Sequence, residues 1–157
     1  MKNFEFEHEN KKYWYSRSVA MVCIVIGHDD YGNKYVLANK RGKDTPDWQG
    51  FWNLPCGYLD FDETAEQAIQ REVYEETGVK INTDNLELLS VDSIPEGKQN
   101  VTIRFRTDVG NISEHVLTDK NSELNEVDDI KWINSNDINN YEWAFNHTEL
   151  IKVYIHD

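Results

Sequence analysis

One helix is signalled at both of its ends, and it constrains the rest of the fold most strongly. Thr64 and Gln67 have the spacing of a capping box, in which each side chain bonds to the other residue's backbone N–H. Gly78 suits the left-handed position just beyond a helix C-terminus. The sequence therefore predicts a helix from about Ala65 to Thr77.

The inward-facing side of this helix carries acids as well as apolar residues. At about 100° per residue, one apolar stripe is formed by Ala65, Ala68, Ile69 and Val73. Glu72 and Glu76 fall within that stripe, and Glu75 lies at its edge. Arg71 reaches Glu75 at i+4, so the pattern predicts that Glu72 and Glu76 are left without a charge partner.

These acids have two interpretations. A Glu-rich helix usually exposes its charges to solvent, but here the acids continue an apolar stripe. Carboxylates that are held together and partly desolvated repel one another and are driven towards protonation. A divalent cation would resolve this conflict, and a set of oxygen ligands favours a hard ion, Mg²⁺ or Mn²⁺, over zinc.

Length, charge and composition narrow the class of protein. The 157 residues fit a single domain, 1–157, with residues 1–16 as an N-terminal extension or an edge strand. The net charge of −13 argues against a broad nucleic-acid surface but permits a small phosphorylated nucleotide as ligand. The sequence has no apolar run of membrane-spanning length, no signal-peptide pattern and only two cysteines, so a cytoplasmic location is expected.

The order of elements predicts an α+β fold, an α/β/α sandwich in which helices cover a mixed β-sheet. Residues 18–26 and 34–41 read as a hairpin around a turn-rich segment. Further strands are expected within residues 85–94, 100–109, 112–118 and 128–133. Asn146 and Glu149 have capping-box spacing for a closing helix.

The stretch around the acidic helix resembles a known family signature. Gly57, then Glu63, then "REVYEETGV" (residues 71–79) fit the Nudix box without a departure. The resemblance extends over about residues 18–155, and Cys56 departs from it by standing where the family usually has glycine. Cys56 as a nucleophile is the weaker interpretation, because the sequence shows no paired histidine. The resemblance implies a Nudix fold and hydrolysis of a nucleoside diphosphate linked to another moiety.

The resemblance also implies roles for individual residues. The expected metal ligands are Gly57 (through its carbonyl), Glu63, Glu72, Glu75 and Glu76. Arg71 is expected to orient the glutamates rather than to contact substrate. The catalytic base stays open between Glu72, Glu123 and Glu126, because family members often use an acid from that late loop.

The substrate and assembly are less constrained. Pro95 lies sixteen residues after Val79, a spacing associated with ADP-ribose-type members of the family, although "DSIPEG" is also an ordinary turn. The alternatives are a (d)NTP house-cleaning pyrophosphohydrolase and a non-catalytic sensor of nucleotides or ADP-ribose. Aromatic residues that could stack on a base are Tyr13, Trp14, Trp48 and Trp52. A homodimer would be common for the family.

Overall fold

The structure, a computed structural model, describes residues 1–121 and 124–156. Before the first helix, the chain forms strands β1 (Phe4–His8), β2 (Lys11–Tyr15), β3 (Ser18–His28), β4 (Lys34–Arg41), β5 (Trp52–Asn53) and β6 (Cys56–Tyr58). Helix α1 (Ala65–Thr77) is followed by strands β7 (Glu87–Asp92), β8 (Asn100–Asn111) and β9 (Val127–Asn134) and by helix α2 (His147–Tyr154). No helix in these ranges is long and apolar enough to cross a bilayer.

The main sheet is mixed, as expected. Its central path runs β5-β4-β3-β8-β7, with β6 paired to β3 and β9 paired to β4. Strands β3 and β8 are parallel, whereas β3 and β4 are antiparallel and form the expected hairpin. The α+β prediction is therefore confirmed. Among the described residues, strands β1 and β2 pair only with each other, so residues 4–15 form an extension outside the main sheet. The single-domain expectation stays a prediction.

The sheet separates two hydrophobic clusters, because alternate residues of β3 point to opposite faces. Met21, Cys23 and Val25 pack with Ile69 and Val73 of α1 on one face. The other face is filled from β3 and α2 by Val22, Ile24, Ile26, Leu150 and Ile151. Burying each large aliphatic side chain contributes about 1.5–3 kcal/mol. The sheet thus holds α1 rigidly, with its acidic end at one edge of the core.

The predicted ends of α1 are confirmed. The Thr64 hydroxyl accepts from the Gln67 N–H (3.2 Å), and the Thr64 N–H donates to Gln67 Oε1 (2.9 Å). Gly78 has φ of 77°, and its N–H donates to the Tyr74 carbonyl at 2.8 Å. Local side-chain and backbone chemistry is enough to define this helix.

Two predicted elements are wrong. Residues 112–118 are not a strand but begin with a 3₁₀ turn, Ile112–Glu114, because Asn111 Oδ1 accepts from the Ser113 N–H (2.9 Å) and diverts the backbone from a ladder. The capping box at the start of α2 is also absent, since Asn146 makes no capping hydrogen bond. Its φ of −105° and ψ of 29° differ from the extended conformation that a capping residue needs.

Candidate active site

A cleft of about 700 Å³ lies where the acidic end of α1 meets the sheet. Its wall includes acids from α1 and the late loop, cations from β4 and β8, and residues at the start of α2. The charged members of this wall are Asp47, Asp60, Arg41, Arg71, Glu72, Glu76, Lys98, Arg104 and Glu126. Carboxylates and cations therefore face a common space large enough for a nucleotide-sized ligand.

Gly57 allows one acid to lie against the floor of this cleft. It sits in β6 opposite Met21, and a Cβ added to it would fall 2.1 Å from Cδ of Glu72. No side chain can occupy that space without moving the carboxylate. The glycine of the signature is thus explained by close approach between a strand and Glu72.

Arg71 organises the acids around it. Its guanidinium donates to Glu63 Oε1 (2.7 Å), to Glu72 Oε1 (2.7 Å) and, at a longer 3.3 Å, to Glu75 Oε2. It also donates to the Tyr58 carbonyl at 3.1 Å, which ties the helix to β6. The prediction that Glu72 lacks a charge partner is therefore wrong, because the long Arg71 side chain reaches beyond its i+4 neighbour.

The pKa values of the acids divide into two groups. The hydrogen bond from Arg71 holds the pKa of Glu63 below its ordinary value. Burial raises the pKa of Glu72 despite its bond to Arg71. The pKa of Glu76 is raised well above its ordinary value, mainly by burial and then by repulsion from Glu72, although Glu76 Oε2 accepts from the Cys56 N–H at 3.1 Å. Ionisation is thus most unfavourable for the two inward-facing acids, Glu72 and Glu76.

The chemistry of these donors fits a hard divalent cation, whose charge would offset the cost of ionising Glu72 and Glu76. Within residues 1–121 and 124–156, however, no three acidic, histidine or cysteine side chains are grouped as a metal ion requires. Arg71 engages Glu63, Glu72 and Glu75 instead. Binding of an ion would require some of these carboxylates to turn from the guanidinium into the cleft.

The structure brings one of the two late-loop acids to the cleft. Glu126 is exposed at the cleft wall, and its charge is among the smaller causes that raise the pKa of Glu76. Glu123 lies outside the described residues. The Gly42 N–H donates to the Glu126 carbonyl at 2.8 Å, which holds this part of the loop beside β4.

Cys56 is placed as a half-buried thiol on the cleft wall, in a setting that disfavours a nucleophile. Burial, followed by repulsion from Glu76, raises its thiol pKa to about 12. The Asn53 side-chain amide donates to Cys56 Sγ at 3.3 Å. A thiol in this setting stays protonated at neutral pH, so the small-residue interpretation agrees with the environment.

Sequence reasoning missed a group of uncharged residues on the cleft wall. His147 is buried; its Nδ1 accepts from the Leu54 N–H at 3.0 Å, and burial lowers its pKa to about 3. Asn39 and Asn53 are also buried and line the cleft. A single asparagine in a strand leaves no periodic pattern in the sequence. The two residues become recognisable as a pair only in the structure, where Asn39 lies opposite Asn53.

Aromatic side chains complete this wall. Trp48 and Phe145 have φ of 52° and 56°, a left-handed conformation that bulky residues rarely adopt. Their ring centroids lie 6.0 Å apart, and the Arg41 guanidinium lies 5.1 Å from the Phe145 centroid. Of the aromatic candidates from the sequence, Trp48 lines the cleft, whereas Trp52 is buried in the core.

Comparison with known proteins identifies the family. The family model described as NUDIX domain matches residues 16–154. The chain belongs to the Nudix family. An ADP-ribose pyrophosphatase of Methanocaldococcus jannaschii is 33% identical over 135 residues, which cover 83% of this chain and 71% of that protein. A MutT-like protein of Streptomyces ambofaciens is 51% identical over 69 residues, but the match covers 44% of this chain and only 39% of the Streptomyces protein.

The fold agrees with the family. The Nudix domain of Shewanella oneidensis NrtR, solved in complex with ADP ribose, superposes with a TM-score of 0.72 at 23% identity. The match covers 88% of this chain and 86% of the Shewanella chain. At this identity the likeness shows the Nudix fold alone.

Proposed function

We propose that this Nudix chain is a divalent-metal-dependent pyrophosphohydrolase that cleaves a nucleoside diphosphate linked to another moiety, with ADP-ribose as the first candidate. The observation that carries the proposal is the placement of Glu72 and Glu76, which are raised in pKa by burial and face a nucleotide-sized cleft. Paired desolvated carboxylates would cost stability without a function that uses their charge.

The residues of α1 and β6 would share the metal ion, Mg²⁺ with Mn²⁺ as a substitute. The proposed ligands are Glu72 and Glu76, with Glu63, Glu75 and the Gly57 carbonyl as further oxygen donors. When bound, the ion would neutralise charge on the pyrophosphate and acidify a water molecule. Arg71 would keep Glu63 and Glu72 oriented through its 2.7 Å hydrogen bonds.

Two described acids could accept the proton of the attacking water. Burial raises the pKa of Glu72, and Glu126 is an exposed acid on the same cleft. Glu72→Gln and Glu126→Gln separate them in a pH–rate profile. The substitution that abolishes the acidic limb of kcat identifies the base, and the other should preserve that limb.

Three observations support an ADP-ribose-type substrate. The segment after Pro95 reaches the cleft through Gly97, Lys98 and Gln99. The aromatic wall at Trp48 and Phe145 offers a stacking surface for a base. The Methanocaldococcus relative carries the name of that activity.

Turnover of a substrate panel tests the proposal. ADP-ribose, NADH, nucleotide sugars, dinucleoside polyphosphates and (d)NTPs are each assayed with Mg²⁺ and with EDTA. We expect a diphosphate-linked compound to have the highest kcat/KM and EDTA to abolish turnover. A (d)NTP whose kcat/KM is about tenfold higher than that of any diphosphate-linked compound, roughly 1.4 kcal/mol of transition-state preference, would reverse the substrate assignment. Tight ADP-ribose binding without any turnover would instead indicate a sensor.

A homodimer stays a prediction that light scattering tests.

A further inference from the structure

Two buried asparagines on the cleft wall have side-chain oxygens without a partner. Asn39 and Asn53 are 2% and 1% exposed, and neither Oδ1 accepts a hydrogen bond from any described residue. The amide of Asn53 is oriented by its Nδ2, which donates to the Leu54 carbonyl at 3.0 Å and to Cys56 Sγ at 3.3 Å. Since a buried acceptor without a donor is costly, these atoms are expected to meet a donor in the functional complex.

The charge of these atoms excludes one kind of ligand group. Two carbonyl oxygens side by side repel a phosphate, so the donor must come from another part of a nucleotide. Asn39 and Asn53 are opposite each other in the β4–β5 ladder, and both line the cleft. The two side chains therefore lie on the same face of the sheet, at the wall of the cleft.

The neighbours of the pair favour a nucleobase in that region. Arg41 lies two residues beyond Asn39 on the same face of β4, and its guanidinium covers the Phe145 ring at 5.1 Å. The ring centroids of Phe145 and His147 lie 5.3 Å apart. His147 Nδ1 accepts a hydrogen bond from the N–H of Leu54, the residue after Asn53. The acceptor pair thus lies next to aromatic rings, tilted by 54° between Trp48 and Phe145, and one such ring can stack on a base.

The opposite side of the pair leads to the acids. Asn53 contacts Cys56, whose N–H donates to Glu76 at 3.1 Å. A nucleotide with its base against the asparagines would therefore have its phosphates within reach of the acidic end of α1. This arrangement agrees with cleavage of the diphosphate. The inference therefore rests on the hydrolase function proposed above.

We propose that Asn39 Oδ1 and Asn53 Oδ1 accept hydrogen bonds from the exocyclic amino group of the substrate's base. The two hydrogens of an amino group match two acceptors. A keto oxygen in the same position, as in hypoxanthine, would face both oxygens and leave all three without a donor. The subsite thus selects an amino-bearing base, adenine in the ADP-ribose-type substrate, over its deaminated analogue.

Binding of AMP and IMP tests the subsite without depending on turnover, because neither nucleotide has a phosphoanhydride bond. Isothermal titration should show that the wild-type protein binds AMP about tenfold or more tightly than IMP. Asn39→Leu should abolish that ratio, whereas Asn39→Asp should retain it because its oxygens still accept. Asn85→Leu, at an exposed position on a 3₁₀ turn outside the cleft lining, is the control.

Each outcome is decisive. Equal affinities for AMP and IMP in the wild type, or no detectable binding of either, would overturn the subsite, and so would a full preference in Asn39→Leu. Thermal melts show whether each variant is folded. If Asn39→Leu does not fold, the AMP-to-IMP affinity ratios of the wild type and of Asn39→Asp decide whether the subsite exists. A preference for AMP without hydrolysis of any phosphoanhydride would retain the subsite and refute the proposed hydrolase.

Discussion

Glu76→Gln changes the acid whose burial and charge conflict most strongly in this structure. Glu76 Oε2 accepts from the Cys56 N–H at 3.1 Å, and repulsion from Glu72 adds to the cost of its burial. Glutamine keeps an acceptor oxygen for that bond and nearly the same helix propensity. The substitution therefore removes the charge and one hard ligand while leaving the local hydrogen bond in place.

Without metal, the variant should be at least as stable as the wild type. A fully buried polar group without a partner costs about 1–3 kcal/mol, and a charged group costs more. Because Glu76 is half-buried, we expect the free energy of unfolding in EDTA to rise by about 1–2 kcal/mol at pH 8. That corresponds to a Tm increase of roughly 2–8 °C for a chain of this size. Because the folded-state pKa of Glu76 is raised, the wild type loses stability as pH rises through that pKa, and the difference shrinks in acid.

With metal, the order should reverse. A ligand at 100 times its Kd stabilises the folded state by about 2.7 kcal/mol, and the variant should gain less because its affinity for Mg²⁺ is lower. Turnover should fall by about 10² or more, on the order of 3 kcal/mol of lost transition-state stabilisation. A variant that is more stable without Mg²⁺ and less active with it would separate function from fold.

Thermal melts of both proteins, with EDTA and with saturating Mg²⁺, and kcat on the best substrate provide the assay. Glu66→Gln, on the exposed side of the same helix, is the control and should change neither quantity. Wild-type kcat in Glu76→Gln, or equal stabilisation of both proteins by Mg²⁺, would refute the assignment of Glu76 as a ligand.

Three further predictions use single sites. Gly57→Ala should lower kcat by on the order of 10² with an unchanged circular-dichroism spectrum, because the new Cβ would fall 2.1 Å from Cδ of Glu72; full activity would contradict this packing. Cys56, half-buried on the cleft wall, should react with Ellman's reagent at pH 8 much more slowly in the native protein than after unfolding, because its thiol pKa is about 12; equally rapid reaction in the native state would contradict the raised pKa. His147 should make the fold sensitive to acid, because its folded pKa of about 3 lies below the ordinary 6.5, so stability is lost as pH falls between those values. His147→Gln should lose less stability between pH 7 and 5 in urea titrations, and an unchanged slope would refute this.

Helix α1 was predictable from the sequence because its ends and faces depend on neighbours in the chain. Thr64, Gln67 and Gly78 act within one turn of the residues they cap, and helical periodicity alone turns Glu72 and Glu76 inwards. The alternating burial of β3 follows in the same way from a period of two. The family signature coincides with this locally encoded segment, which is why the acidic part of the candidate site could be proposed before the fold was known.

The rest of the site depends on residues that are distant in the chain. Asn39, Asn53 and His147 meet only because β4 pairs with β5 and α2 packs beside them, and no local periodicity connects such positions. The partner of Arg71 was likewise decided in three dimensions: i+4 spacing favours Glu75, but the guanidinium lies closer to Glu72. Short-range capping and periodicity thus determined the acidic helix, whereas sheet register and side-chain reach determined which groups share its cleft.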